Sequence, residues 1–142
     1  MQLTKAKVPF GVAAVVLAVL TLAVFYVLQD YGPASAIRRF HAALATGDVA
    51  ALQQVIDSPV KSLVDDPQQK FLIGYVKQFV DHGIQPQVAR MDRQPGSVRV
   101  AVVYTLQNHD RYAIVWIVDK KGPLWKINIK LTAAILKDTL LQ

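Results

Sequence analysis

An uninterrupted apolar run near the amino terminus constrains this chain more than any other feature. Residues 8–28 read VPFGVAAVVLAVLTLAVFYVL and contain no charged side chain. At a rise of about 1.5 Å per residue, a helix of roughly 20 apolar residues crosses a hydrocarbon core of about 30 Å. Few soluble helices stay apolar on every side for that length. The run therefore predicts a single transmembrane helix that carries the rest of the chain.

The remainder of the chain has room for one small domain. Of the 142 residues, about 110 follow the predicted helix, which is the usual size of a domain with its own core. We predict four parts: a basic flank over residues 1–7, the transmembrane helix over 8–28, a linker over 29–33 and a folded domain over 34–142.

Charge and cysteine content narrow the classes of function. The net charge is +6, but the basic residues are scattered, so the chain lacks a nucleic-acid-binding stripe. Such an excess suits an anionic lipid surface or acidic partners, or serves solubility alone. The absence of cysteine excludes disulfides, thiolate metal sites and thiol catalysis.

The length and flanks of the apolar run predict whether it is cleaved and how it is oriented in the membrane. The core of a signal peptide is about 7 to 15 residues long, so this longer run favours an uncleaved signal anchor. Cleavage after Ala36 is the alternative, because residues 34–36 form an Ala-x-Ala pattern. Lys5 and Lys7 precede the run, which predicts a cytoplasmic amino terminus and an extracytoplasmic domain, periplasmic in a bacterium.

Small side chains recur along one face of the apolar run. Gly11, Ala14, Ala18 and Thr21 are spaced by three and four residues. Small residues at such spacing let a second helix approach closely in a membrane. The stripe is either a packing face for another transmembrane helix or a chance result of an Ala-rich composition.

The domain changes from helical to strand periodicity near its middle. Apolar residues at helical spacing predict helices over residues 34–46 and 49–57, and a third helix opening at Asp66-Pro67. Alternating residues then predict strands over about 87–93, 98–106, 112–118 and 125–131, and a short helix over 132–141. The predicted fold class is α+β: a transmembrane helix, then three helices packed on a bent antiparallel four-stranded sheet, and a short carboxy-terminal helix.

This order of elements resembles the nuclear transport factor two-like superfamily, also called SnoaL-like or cystatin-like α+β cones. Residues 36–52, AIRRFHAALATGDVAAL, look like its opening helix pair, and residues 122–127, GPLWKI, are similar to its closing strand. The resemblance covers residues 33–131 and implies a fold without an activity, because such folds host enzymes, binders and scaffolds alike. Many members carry a strand between the second and third helices, for which this chain offers only residues 60–64.

The sequence predicts no catalytic residue, metal site or cofactor. Enzymes that resemble it place an Asp, a His or a Tyr-Asp pair inside the cone. Here six aspartates fall at predicted caps or turns: Asp48, Asp57, Asp66, Asp81, Asp110 and Asp119. His41 falls on the polar face of its predicted helix, His82 at a helix end and His109 in a turn, without metal-ligand spacing. A His-Asp dyad formed in space by His41 or His82 stays open.

Two surfaces of the domain are candidate binding sites. Tyr75, Phe79, Tyr104, Trp116 and Trp125 either line the mouth of the cone as a pocket for an apolar ligand or form its core. The reverse face of the sheet has a central aliphatic set, which we predict to be covered because monomers rarely expose such patches. The members of this set are Ala101, Val103, Ala113, Val115 and Ile117.

These observations predict a non-enzymatic, single-pass membrane-anchored interaction or assembly domain, an accessory subunit of a larger membrane protein complex. The expected partners are a second copy of the chain or a protein of that complex, without nucleic acid. The alternative is a membrane-tethered small-molecule-binding or SnoaL-like enzymatic cone with an aromatic pocket.

Overall fold

The computed structural model describes residues 10–30, 32–57 and 66–142, with the backbone alone for residues 25–30. The predicted basic flank, residues 1–7, and the candidate strand segment, residues 60–64, lie outside the described residues. The chain divides into two compact units, Met1–Tyr31 and Gly32–Gln142. Each unit is described by itself.

The first unit consists of helix α1, Phe10–Asp30, which has 21 residues. Its described side chains, residues 10–24, are all exposed, and the Thr21 hydroxyl donates to the Leu17 carbonyl at 2.8 Å. Within the part of the chain that the structure describes, no helix is long and apolar enough to cross a membrane. The predicted linker, residues 29–33, is shorter than expected, because α1 continues to Asp30 and the next helix opens at Pro33.

Capping residues mark the starts and ends of the helices in the second unit. Asp48 and Asp66 accept hydrogen bonds from backbone N–H groups of the first turns that follow them. Gly47 ends the first helix in the left-handed region at φ 71°, which a residue without Cβ adopts readily. The helices are α2, Pro33–Thr46; α3, Val49–Val55; α4, Pro67–Asp81; and α5, Ile129–Leu140.

One antiparallel sheet follows α4, and it confirms the predicted α+β class. Its strands pair in chain order, and a bulge interrupts the first pair between Val88 and Arg90. The strands are β1, Gln87–Gln94; β2, Ser97–Thr105; β3, Arg111–Lys121; and β4, Leu124–Ile127.

The fourth strand is shorter than the predicted range, residues 125–131. It ends at Ile127, and Asn128 caps α5 by accepting a hydrogen bond from the Leu131 N–H at 3.1 Å. Ile129 is still buried, but as a helical residue that shares the core with Ala133 and Leu136. The apolar spacing around Ile129 is therefore compatible with a strand and with a helix, and the Asn128 cap favours the helix.

A short parallel contact follows the second helix of this unit, just before the segment where many members of the resembling superfamily carry a strand. Ile56 forms a parallel bridge with Ile127, and the Asp57 N–H donates to the Ile127 carbonyl at 3.1 Å. The helix predicted over residues 49–57 therefore ends earlier, at Val55.

The core lies between the helices and one face of the sheet. Even-numbered residues of β2 and β3 point into it, as the alternation predicted. Its largest fully buried side chains include Phe40 from α2, Leu72 from α4, and Tyr104 and Trp116 from the sheet.

Candidate functional site

The five aromatic residues predicted to line one pocket lie in three different environments. Tyr104 and Trp116 are core residues with 0% exposure. Trp125 is half-buried in β4, where the Lys120 ammonium lies 5.9 Å from its ring. Only Tyr75 and Phe79, both on α4, border an open cleft. The predicted set is therefore not one pocket, because Phe79, Tyr104 and Trp116 belong to the core cluster and Tyr75 and Trp125 pack against it.

The cleft lies between the second half of α4 and the turn that joins β2 to β3. It encloses about 560 Å³, a volume in the range of small-ligand sites. Aromatic, aliphatic and amide side chains form its walls together with one histidine, without any Asp, Lys or Arg. The lining residues are Tyr75, Gln78, Phe79, His82, Ile84, Leu106, Gln107, Asn108 and Tyr112.

Phe79 connects the cleft to the core. Its ring stacks on Tyr104 with centroids 4.5 Å apart and an interplanar angle of 11°. On the cleft side it contacts Tyr75 at 5.5 Å and Tyr112 at 5.9 Å. Burial, and secondarily the neighbouring Tyr112, raises the pKa of Tyr75, so its phenol stays neutral at physiological pH. The floor of the cleft is therefore a packed, uncharged aromatic group.

The turn on the other side of the cleft is held by its own polar groups. The Leu106 N–H donates to the Asp110 carbonyl at 2.8 Å. The Asn108 amide donates to the Asp110 carboxylate at 3.0 Å and accepts from the Asp110 N–H at 3.0 Å. Asp110 thus has the structural role that the sequence predicted, and its carboxylate organises the turn.

The prediction that His41 lies on a polar helix face is wrong. His41 is 6% exposed, and its Nδ1 lies 2.7 Å from the Ile37 carbonyl. A carbonyl only accepts, so Nδ1 carries the proton and Nε2 accepts from the Tyr104 hydroxyl at 2.6 Å. The helical period places His41 at the border of the core face. Its burial is stable because the Tyr104 hydroxyl is a hydrogen-bond partner for the imidazole.

Within the described ranges, neither His41 nor His82 forms the His-Asp dyad that the sequence left open. The partners of His41 are Ile37 and Tyr104, and His82 Nδ1 bonds the Gln78 carbonyl at 2.6 Å. Burial raises the pKa of Tyr104 well above its ordinary value. The nearby Trp116 indole offsets part of this rise, although its N–H does not form a hydrogen bond of regular geometry with a described residue. Among the described residues, no group of three potential ligands could hold a metal ion.

His41 makes the stability of the chain depend on pH. Burial lowers its pKa below the ordinary value of 6.5, and the bond to Ile37 offsets only part of this. Below pH 6.5 the unfolded chain binds a proton that the native chain resists, so the free energy of unfolding falls by up to about 1.4 kcal/mol per pH unit. Above pH 6.5 His41 is neutral in both states, and its full contribution to the free energy of unfolding is present. Urea unfolding of the full chain between about pH 7.5 and 5 measures this slope.

The control for this prediction is the other helix-borne histidine. His41→Gln should flatten the pH dependence relative to the unmodified chain, whereas the exposed His82→Gln should preserve it. Identical slopes for His41→Gln and the unmodified chain would contradict the prediction.

The aliphatic set on the reverse face of the sheet is less exposed than predicted. Register pairs Val103 with Ala113 and Ala101 with Val115, so these four share one face. Ile117, however, is 2% exposed and is not available to a partner. Its backbone bonds Asn128 and Thr132 at the start of α5, and this docking encloses it. The set reduces to one exposed alanine, Ala113, and three half-buried residues.

The second unit is therefore a small α+β domain with a filled aromatic core and, at one end of its sheet, a cleft lined by aromatic, aliphatic and amide side chains and one histidine. No protein-family model matches the chain, and no curated protein matches it. Among solved structures, it is similar to a Campylobacter jejuni protein described as a "Putative NTF2-like transpeptidase". The identity is 18% and the TM-score 0.44, over 68% of this chain and 97% of that chain. The superfamily resemblance therefore stays a prediction.

Proposed function

We propose that this chain is a single-pass, membrane-anchored interaction domain without enzymatic activity, serving as an accessory subunit of a membrane protein complex. The carrying observation is the sequence of residues 8–28, which contains no charged side chain. This run extends beyond residues 10–24, whose side chains the structure describes and which are all exposed, so the proposal rests on the run and not on the described part of α1. Such a helix needs an apolar environment, which a bilayer or a partner's helices supply. On this proposal the anchor is residues 8–28 and the domain is extracytoplasmic.

The interior of the domain supports an interaction role over catalysis. A general acid or base must reach a substrate, whereas the buried His41–Tyr104 pair is 6% and 0% exposed. Among the described aspartates, Asp48 and Asp66 cap helices and Asp110 holds a turn. Asp92 pairs with the exposed Arg90, and Asp119 accepts a hydrogen bond from the Asn128 amide. The tethered-enzyme alternative gains no support from this arrangement. We likewise propose that the domain is a cone of the nuclear transport factor two-like type, on the grounds of its helix and strand order.

Membrane insertion is tested on the full chain by alkaline carbonate extraction of cell membranes. We expect the unmodified chain to stay in the membrane pellet. Val16→Arg with Leu20→Arg should release it, because each central Arg costs about 2.5–3.5 kcal/mol on insertion scales. The matched control is Val49→Arg with Leu140→Arg, two exposed apolar positions of the domain, which should remain in the pellet. Extraction of the unmodified chain would refute the anchor.

The assembly role is tested by co-purification of the full chain in mild detergent. A partner or a second copy should accompany it, and Gly11→Leu with Ala18→Leu should weaken an association made through the small-residue stripe. Val12→Leu with Val19→Leu, off the stripe, is the control. The chain running alone as a monomer would overturn the proposal.

A further inference from the structure

One side of β3 is open along its first half. Strand residues two apart direct their N–H and C=O groups to the same side. On the side facing β4, Asp119 pairs with Lys126, and Ile117 bonds the Asn128 N–H and the Thr132 hydroxyl. The groups of Val115, Ala113 and Arg111 point the same way, where β4 has already ended.

These backbone groups have no partner in the part of the chain that the structure describes. The three N–H and three C=O groups form the open edge of β3, residues 111–115. Unpaired strand edges are templates for a further strand, and natural sheets protect them with charges, bulges or covering elements. The outer edge of β1 has such protection in its bulge and in the Arg90–Asp92 ion pair. The open edge of β3 has one exposed charge at its start, Arg111, and a small, exposed alanine, Ala113, at its centre.

The open edge adjoins the cleft. Tyr112 lies within the edge segment, is 41% exposed, and points to the α4 side, where it lines the cleft with Tyr75 and Phe79. A strand laid along residues 111–115 would therefore direct alternate side chains over the cleft. Unpaired backbone groups and an aromatic recess thus meet at one place, which is the arrangement of β-strand addition sites.

We propose that the open edge of β3 and the cleft together bind an extended peptide segment of a partner protein. The peptide pairs its main chain with Arg111, Ala113 and Val115 and places one uncharged, aromatic or large aliphatic side chain in the cleft. This peptide site rests on the proposed interaction function, and it specifies the kind of partner that the domain would bind.

The dimensions of the site favour a peptide over a second copy of the chain. The open edge is only five residues long, bounded by α5 contacts at Ile117 and by the turn before Arg111. A whole domain pairing there would meet both boundaries, whereas a single extended strand avoids them. A free small molecule would use the cleft but leave the backbone groups unpaired.

The probe is a displayed library of random seven-residue peptides, selected on the full chain in mild detergent. We expect enriched peptides to share one aromatic or large aliphatic position. Alternate backbone nitrogens of a bound strand face β3 and solvent in turn. Methylating the set that faces β3 should weaken binding about tenfold or more, and methylating the other set should not weaken binding. This asymmetry requires no change to the protein, so it does not depend on the folding of a variant.

Two protein variants locate the site. Ala113→Pro removes one N–H from the edge and should weaken binding about tenfold, whereas Ala89→Pro on the outer strand β1 should not. Tyr75→Ala should weaken binding of peptides with the shared apolar position. Equal binding by both methylated series, no enrichment, or no effect of Ala113→Pro would overturn the inference. A dimer that Ala113→Pro converts to monomer would assign the edge to a second copy and overturn it as well.

The inference and the proposed function fail differently. A co-purifying partner that is retained by both Ala113→Pro and Tyr75→Ala refutes the peptide site and leaves the interaction role standing. Absence of any partner for the full chain refutes the interaction role directly.

Discussion

Replacing Trp116 by alanine is expected to lower the free energy of unfolding by about 3–5 kcal/mol, the usual cost of deleting a buried tryptophan side chain. Trp116 is fully buried, and its ring lies 5.1 Å from Phe40 and 5.4 Å from His41. Because domains are stable by only about 5–15 kcal/mol, this loss is a large part of the total, and the urea midpoint should fall accordingly. Urea unfolding of the full chain, followed by near-ultraviolet circular dichroism, measures the effect.

Trp125 provides a matched control, since it is the second tryptophan of the chain. It is half-buried on the terminal strand β4, so Trp125→Ala should cost a third or less of the Trp116→Ala effect. Equal losses for the two variants would mean that Trp116 is not the centre of the core.

Replacing Gln69 by methionine is expected to stabilise the chain by about 1–3 kcal/mol, the desolvation cost of a buried polar group that lacks a partner. Gln69 has 0% exposure on α4, and neither its Nε2 nor its Oε1 has a hydrogen-bond partner within residues 32–57 and 66–142. Methionine has a similar length and shape, so the packing should be retained. Thermal and urea unfolding of the full chain would show the gain as a higher midpoint.

The neighbouring residue is the control for this substitution. Gln68 is exposed on the same helix turn, so Gln68→Met should change stability by less than about 0.5 kcal/mol. A loss of stability in Gln69→Met would indicate that the amide has a bound water or another partner in solution.

Local periodicity predicted most of the fold because each element is consistent with its own sequence. Asp66-Pro67 starts α4, and the alternation from Val98 to Tyr104 defines the buried face of β2. Such signals depend on the few residues that surround them. The prediction failed at Ile129, where the same residues satisfied the strand and helix periods together and the Asn128 cap favoured the helix.

The candidate site could be predicted only in part. Tyr75 and Phe79 were recognised as aromatic residues of one helix face, but their cleft also needs Leu106, Asn108 and Tyr112 from a distant hairpin. No short-range pattern links those positions. His41 was misplaced for the same reason, because its partner Tyr104 is 63 residues away along the chain.

The sequence by itself determined the apolar character of residues 8–28, the helix caps, the alternation of the central strands and the α+β order, because these depend on contacts between near neighbours. Only the tertiary structure decided that Tyr104 and Trp116 fill the core, that α5 encloses Ile117, and that β4 ends early enough to leave β3 open. Those outcomes depend on which strands and helices meet, and the free energy of such contacts belongs to the packed chain as a whole.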